Sequence, residues 1–492
     1  MATVAERPQL EEQAAPASPA GPVEPGTPLN PPPALNLPRP LQTAMFGLAP
    51  LKFNLRAQRE LGDVWQVDLP AREGPLVMTS HPDHIKSLFT AKPQDAPTAT
   101  NETPLRPILG PNSVLILLGE RHMRERKLLL PPFHGEAVER YVATIRDVAH
   151  REIDRWPIGK PFSLAPRMQA VTLDVIMSGL FGIDGTPAKG TPEYRMRETF
   201  RRLLRISTNL LWGLVELYNL GREEARGPMA WVLKFADREL YRAIRTRRAQ
   251  PLDDTATDVT SLLLAARDEH GQPLSDEEIR DELMTLVLAG HETTANSLAW
   301  TLERLVRTPD AYATLREAVR GGDPERAGAY VEATVHEGMR VRPVIPIIVR
   351  LVKKPWRLGE YVVPADTPIA ISIAALHHRP DVYPDPFAFR PERFLDSKQP
   401  DDPGDELSGE PGRRAFVKPG TYTWIPFGGG IRRCLGASLA MAEQRVVLEA
   451  IARRTDLAAT RPSSEWPRQR NVTMIPSKGG RVIVERKSSA AG

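Results

Sequence analysis

One cysteine occurs in the 492 residues, Cys434, set in FGGGIRRCLG between residues 427 and 436. A lone cysteine is commonly a small buried hydrophobe, but the surroundings of this one favour a thiolate. Arg432 and Arg433 precede it, and a helix is expected just past it, so that the positive end of that helix faces the sulfur. The run of glycines allows backbone angles closed to other residues. A thiolate serves as a nucleophile or as a metal ligand. A nucleophile needs a base such as histidine, and His377 and His378 lie more than fifty residues upstream, a separation that folding can close. No Gly-Lys-Ser/Thr follows the glycines, which excludes a P-loop.

A second group with chemical potential is AGHETT, Ala289 to Thr294, where Glu292 and Thr293 set a carboxylate beside a hydroxyl on a helix. Such a pair with ordered water can relay protons. Its ordinary alternative is a solvated glutamate beside a threonine bonded to its own backbone. Glu337 and Arg340 share a helix face, which alone is a routine pair of little weight.

Phe427-x-x-Gly430-x-Arg432-x-Cys434-x-Gly436 resembles, at every defining position, the haem-binding loop of the cytochromes P450. The resemblance implies that Cys434 is the thiolate ligand of a haem iron, favouring O–O cleavage, with Phe427 shielding the sulfur. It also implies that Arg432 pairs with a haem propionate and that Gly436 admits close approach of the haem. Further landmarks of the family follow the expected order along the chain. AGHETT is similar to the oxygen-activation motif, which makes Glu292 and Thr293 the acid-alcohol pair and leaves His291 a bystander. Glu337-x-x-Arg340 and Pro391-Glu392-Arg393-Phe394 resemble the motifs whose Glu, Arg and Arg form a buried structural network, here Glu337, Arg340 and Arg393. In GERHMRERKLLLPPFHG, His122 and Arg126 stand where the family binds propionates, His122 replacing a common Trp, and Arg350 stands at a further propionate position. The stretch from Asp396 to Gly420 is longer than in compact bacterial members.

The elements that must position these groups are mainly helical. Residues 1 to about 45, rich in Pro, Ala and Gly, read as a disordered leader. VWQVDL and PLVMTS read as two strands joined by a turn at Glu73-Gly74. Helical periodicity marks 119–130, 136–156, 165–182, pieces of 190–222, and 226–249. The clearest helix opens at Ser275, with Glu278 completing a capping box, and runs unbroken to Thr308-Pro309. At ~1.5 Å per residue it would span a whole domain. Strand text follows in IPIIVRLV, YVVP and TPIAISIAA, and a last helix in Ala437 to Arg454. The expected fold is mainly α with a minor β-sheet region, the cytochrome P450 fold, as one domain over 46–492.

Composition bounds the rest. With 41% hydrophobic and 26% charged residues the chain is globular, and a net charge of +4 is too diffuse for a nucleic-acid arm. A single cysteine permits no intramolecular disulfide and fits a reducing cytoplasm. No signal peptide and no stretch of eighteen apolar residues is visible, so a soluble monomer without a transmembrane anchor is expected.

The family resemblance implies a haem-thiolate monooxygenase with haem b, placing one oxygen atom from O2 into a lipophilic guest such as a fatty acid, terpenoid or steroid. The pocket segments it points to, about 91–118, RISTNLLWGLVELYNLG, the middle of the long helix, and PVIPIIV, are mostly apolar. Electrons would come from NAD(P)H only indirectly, through a ferredoxin or flavodoxin and its reductase, for which Arg413, Arg414, Lys418 and Arg433 offer a basic docking face. Leu210, Leu211, Trp212 and Leu214 offer either core packing or contact with a membrane surface. The alternatives are a peroxide-dependent or isomerising haem-thiolate enzyme, against which Glu292 and Thr293 speak, and a non-catalytic haem sensor or carrier.

Overall fold

The computed structural model describes residues 18–69, 74–98, 103, 105–183, 185, 187–207, 212–250, 258–267, 271–395 and 420–489. The segment read as one domain divides into two compact units, each assembled from separate stretches of chain.

The smaller unit comprises Met1–Ala96, Ile347–Ala388 and Pro419–Ile425. Its main sheet has four strands in the order Val64–Val67, Leu76–Thr79, Thr367–Ser372 and Ile347–Val352. The first pair is the expected hairpin, antiparallel with Val64 opposite Thr79, although its turn falls largely outside the described residues. Thr367–Ser372 is buried at every position, as a central strand must be when both its faces are covered. Trp65, Met78, Phe53 and Ala370 pack on one side, and Ile85, Leu88, Ile369 and Ile371 on the other.

The leader is corrected here. Residues 1–17 lie outside the described residues, but Ala20–Pro22 pairs antiparallel with Trp356–Leu358, and Asn30 bridges Val362 with bonds of 3.0 and 2.9 Å. Leu35 is buried, and the helix Arg39–Leu48 begins inside the segment. Proline is compatible with edge strands, where its missing N–H faces no partner. A few apolar anchors therefore suffice to order a Pro-rich stretch that composition alone assigns to disorder.

The larger unit, Pro97–Pro346, Phe389–Lys418 and Pro426–Gly492, is helical. Its axis is Asp276–Leu305, 30 residues long, which at ~1.5 Å per residue extends about 45 Å. The capping box forms as expected: Glu278 N donates to Ser275 Oγ at 3.1 Å, and Ser275 N donates to Glu278 Oε2 at 2.9 Å. Helices Leu164–Phe181, Pro228–Arg248, Pro324–Val341 and Ala437–Arg454 pack around it. The crossing with Pro324–Val341 is tight, since a Cβ at Gly338 would stand 2.0 Å from Thr301 Oγ1. The C-terminal stretch adds a feature that helical periodicity did not suggest. Thr455–Ala459 and Arg481–Lys487 pair in a small sheet, and Pro467–Arg470 with Thr473–Pro476 makes a hairpin turning at Asn471.

Candidate active site

Between Ile279 and Glu303 the axial helix is buried at every position except Leu286, Leu288, Ala289, Gly290, Glu292 and Thr293. Leu286, Ala289, Gly290 and Thr293 follow i, i+3, i+4, i+7 spacing and define one open strip, which Leu288 and Glu292, one turn apart, flank. AGHETT supplies most of that strip. His291 turns the other way: it is buried, and its ring bonds to the backbone of Gln169. Burial lowers its pKa to about 4, so it stays neutral.

Thr293 Oγ1 donates to Ala289 O at 2.7 Å, the local bond typical of helical threonines, which leaves its lone pairs able to accept. Glu292 is not a solvated surface acid. Its Oε1 accepts from Arg470 Nε at 2.8 Å and from Thr473 Oγ1 at 2.9 Å, both on the C-terminal hairpin. Sequence reasoning missed Arg470. The available signal was RQRNVTMIP, strand-like text on either side of an Asn suited to a turn.

The cysteine loop is shaped by its glycines. Gly428 and Gly430 adopt φ of 67° and 64°, in the left-handed region, and a short 3-10 turn spans Gly430–Arg432. Cys434 N then donates to Phe427 O at 3.0 Å, closing the loop, and the helix Ala437–Arg454 begins three residues on. Cys434 is exposed to solvent, yet the protein around it is dense enough that burial pushes its thiol pKa upward. The Gly436 N–H and the charges of Arg126 and Arg433 act in the opposite direction without prevailing. Arg126 rather than Arg432 is the second cation acting on the sulfur. Arg432 instead donates to Val114 O at 3.0 Å and to Leu117 O, tying the cysteine loop to the segment before the helix Gly119–Leu129. No histidine is among the groups acting on Cys434, while His377 accepts a bond from Ile425 N at 3.0 Å in the smaller unit.

His122 and Arg126, one turn apart on Gly119–Leu129, stand near the same loop, since Arg432 and Arg126 both act on His122. His122 is buried with Nδ1 lacking a partner, and burial followed by those two arginines lowers its pKa to about 4. Arg126 has no carboxylate partner among the described residues. In the smaller unit Arg350 is buried over the Phe89 ring with only its own Val349 O to bond, and burial lowers its pKa to about 10. In the larger unit, His122 and Arg126, donors lacking anions, suit the carboxylates of haem. Gly436 points the same way: its φ of −85° is open to any residue and a Cβ there would meet nothing within 4 Å, so the protein itself imposes no need for glycine.

Glu337, Arg340 and Arg393 do come together. Arg340 Nε and Nη2 reach Glu337 at 2.7 and 2.8 Å, both side chains being 0% exposed, and Arg393 Nε adds a bond of 3.1 Å. Arg390 N completes the set at 2.8 Å. Among the other sequence candidates, Arg413, Arg414, Lys418, Leu210 and Leu211 lie outside the described residues; Trp212 is buried, and Leu214 and Arg433 are exposed.

A mainly helical fold with a glycine-shaped cysteine loop, an acid-alcohol pair on a long helix and an enclosed Glu-Arg-Arg network defines the haem-thiolate class. The family model described as Cytochrome P450 matches residues 31–484, and the chain belongs to that family. Over 441 residues the chain is 35% identical to "Putative cytochrome P450 135B1" of Mycobacterium tuberculosis (strain ATCC 25618 / H37Rv), covering 88% of this chain and 87% of that one. It is also 35% identical over 432 residues to "Putative cytochrome P450 137" of the same organism, covering 87% and 84%. Among solved structures, a retinoic acid bound cyanobacterial CYP120A1 superposes with a TM-score of 0.73 at 22% identity, covering 93% of this chain and 100% of that one. The haem domain of cytochrome P450DA gives 0.74 at 22%, covering 94% and 99%. The family binds haem and consists of monooxygenase oxidoreductases that use O2, a substrate and redox partners. No described helix is long and apolar enough to cross a membrane.

Proposed function

We propose that this monooxygenase acts on a lipophilic small molecule, with haem b held by Cys434 and electrons delivered by a ferredoxin or flavodoxin and its reductase. The observation that carries the reading is the open strip on the axial helix, which joins the apolar Leu286 and Ala289 to the Thr293 hydroxyl, with the Glu292 carboxyl beside it. An apolar surface with few polar groups suits a lipophilic guest. The cyanobacterial structure with retinoic acid bound offers a likeness in fold whose guest is of that chemical type.

Haem supplies the oxygen-activating chemistry when bound, its reactivity set by a thiolate ligand. The chain's own groups do the rest. Cys434 would bind the iron through sulfur, with Phe427 O accepting from the Cys434 N–H, and Gly436 would leave room for the ring. His122 and Arg126 would hold its carboxylates, and Arg432 would keep the cysteine loop tied to the segment before them. Glu292 passes protons to the Thr293 hydroxyl, and Glu337, Arg340 and Arg393 stiffen the scaffold behind the cysteine loop.

A titration of the purified holoprotein with fatty acids, terpenoids and steroids, followed by the Soret shift, tests the substrate class. A saturable shift with at least one of these lipophiles and none with small polar compounds is expected. Shifts with polar compounds alone would overturn the assignment.

A further inference from the structure

Between the helices Arg106–Leu109 and Gly119–Leu129 the chain runs along the axial helix and is held to it by a series of bonds, all within the larger unit. Arg280 Nη1 donates to Leu109 O at 3.1 Å, Asn112 N and Nδ2 both donate to Asp281 Oδ2 at 3.0 Å, and Thr285 Oγ1 donates to Ser113 Oγ at 2.7 Å. Gly110, with φ of 89°, lies so close to Asp281 that a Cβ there would stand 2.3 Å from Oδ1. Val114 is tied at both ends. Its N–H donates to Glu282 Oε1 at 2.8 Å, while its carbonyl accepts from Arg432 Nη1 of the cysteine loop at 3.0 Å. Arg432 also donates to Leu117 O. A single residue thus bonds the axial helix with its N–H and the cysteine loop with its C=O.

We infer that Glu282 is a positioning residue for the sulfur of Cys434: through Val114 and Arg432 it sets where the cysteine loop lies against the helix that carries Glu292 and Thr293. The inference rests on the haem-thiolate reading. Gly428 and Gly430 give the cysteine loop a backbone that its own side chains do little to stiffen, so the hold of Arg432 on two carbonyls matters. Those carbonyls stay in place only while their segment is bonded to the axial helix. Glu282 is 1% exposed and Val114 4%, so no solvent stands ready to replace the carboxyl as acceptor, and its loss orphans the Val114 N–H. Misplacing reacting groups by about 1 Å can cost on the order of 10² in rate, which is the scale on which such a tie acts. Burial, then the charge of Glu125, raises the Glu282 carboxyl well above the usual range, so it meets Val114 as a neutral acid whose carbonyl oxygen accepts. A glutamine keeps that acceptor, and a leucine does not.

The CO complex of the reduced holoprotein reports on the sulfur directly, because the share of haem giving the red-displaced Soret band is the share with a thiolate opposite CO. That share is expected to fall severalfold in Glu282→Leu and to return to the wild-type level in Glu282→Gln. Since Glu282 and Arg432 act through one residue, Glu282→Leu combined with Arg432→Lys should lose no more than Arg432→Lys alone, whereas independent sites would add. Asp456→Asn controls for stability: it weakens pairs with Arg316 and Arg320, at 2.7 and 2.9 Å elsewhere in the same unit, and should lower Tm while leaving the band whole. Should Glu282→Leu fail to fold, Asn112→Ala, which removes one tie at a half-buried position, is expected to lower the share in the same direction by less. A wild-type share in whichever of these two variants folds, a glutamine no better than leucine, additive losses in the double variant, or an equal loss in Asp456→Asn would overturn the inference. Absence of the band from haem-loaded wild type would instead remove the haem-thiolate reading on which it stands.

Discussion

The larger unit holds two glutamate–arginine clusters of similar composition and opposite character. At Glu337 both carboxylate oxygens are engaged, three groups converge, and the paired side chains are 0% exposed. At Glu292 one oxygen takes every bond, and the paired side chains remain 18% and 17% exposed. Full enclosure with every bond made fixes a geometry. Partial exposure and an idle oxygen leave a pair able to rearrange. Pair chemistry therefore does not reveal a role; enclosure and the tally of satisfied atoms do.

The contrast yields graded expectations. Glu337→Ala leaves Arg340 and Arg393 buried without their anion, a loss of roughly 3–5 kcal/mol, and should yield protein that melts far lower and retains little haem. A variant with unchanged Tm and haem content would show the network to be dispensable. Thr293→Ala should leave Tm unaltered while diverting reducing equivalents to peroxide, lowering the coupled fraction by a factor on the order of 10². Unchanged coupling of NADPH use to product would remove Thr293 from the relay.

Glu216, buried on the helix Trp212–Asn219, gives an expectation in pH. Its folded pKa is raised, so the protonated group's contribution is fully present below the usual carboxylate range and is lost as pH rises through about 7. Glu216→Gln, which mimics the neutral acid, should therefore gain relative to wild type between pH 5 and pH 8. A shift of this size corresponds to no more than about 3 kcal/mol, read as a Tm difference. A constant difference across that range would place the carboxyl at an ordinary pKa. The smallest effect is expected at Gly436→Ala: stability of the haem-free protein within about 0.5 kcal/mol of wild type, since the added methyl meets nothing from the protein itself, but weaker haem retention. Equal haem retention would detach Gly436 from the cofactor.

The sequence made the local parts of this arrangement legible. The capping box at Ser275 and Glu278, the hairpin of Val64–Val67 and Leu76–Thr79, and the turn imposed by Gly428 and Gly430 all depend on neighbours a few residues apart. What it concealed depends on separation. Arg470 meets Glu292 across 178 residues, and nothing near either announces the other. Arg432 finds the carbonyls of Val114 and Leu117 more than 300 residues away, so its place as a loop tie could not be read from the cysteine motif. The order in residues 18–45 was hidden for a related reason, because the strand at Ala20–Pro22 exists only against Trp356–Leu358.

The central claim is that Cys434 is the sulfur ligand of a haem iron, and carbon monoxide tests it most directly. Dithionite-reduced holoprotein exposed to the gas should develop the red-displaced Soret band diagnostic of a thiolate opposite CO, and Cys434→His should bind haem without developing it. A wild-type spectrum lacking that band, in protein that has demonstrably taken up haem, would contradict the account.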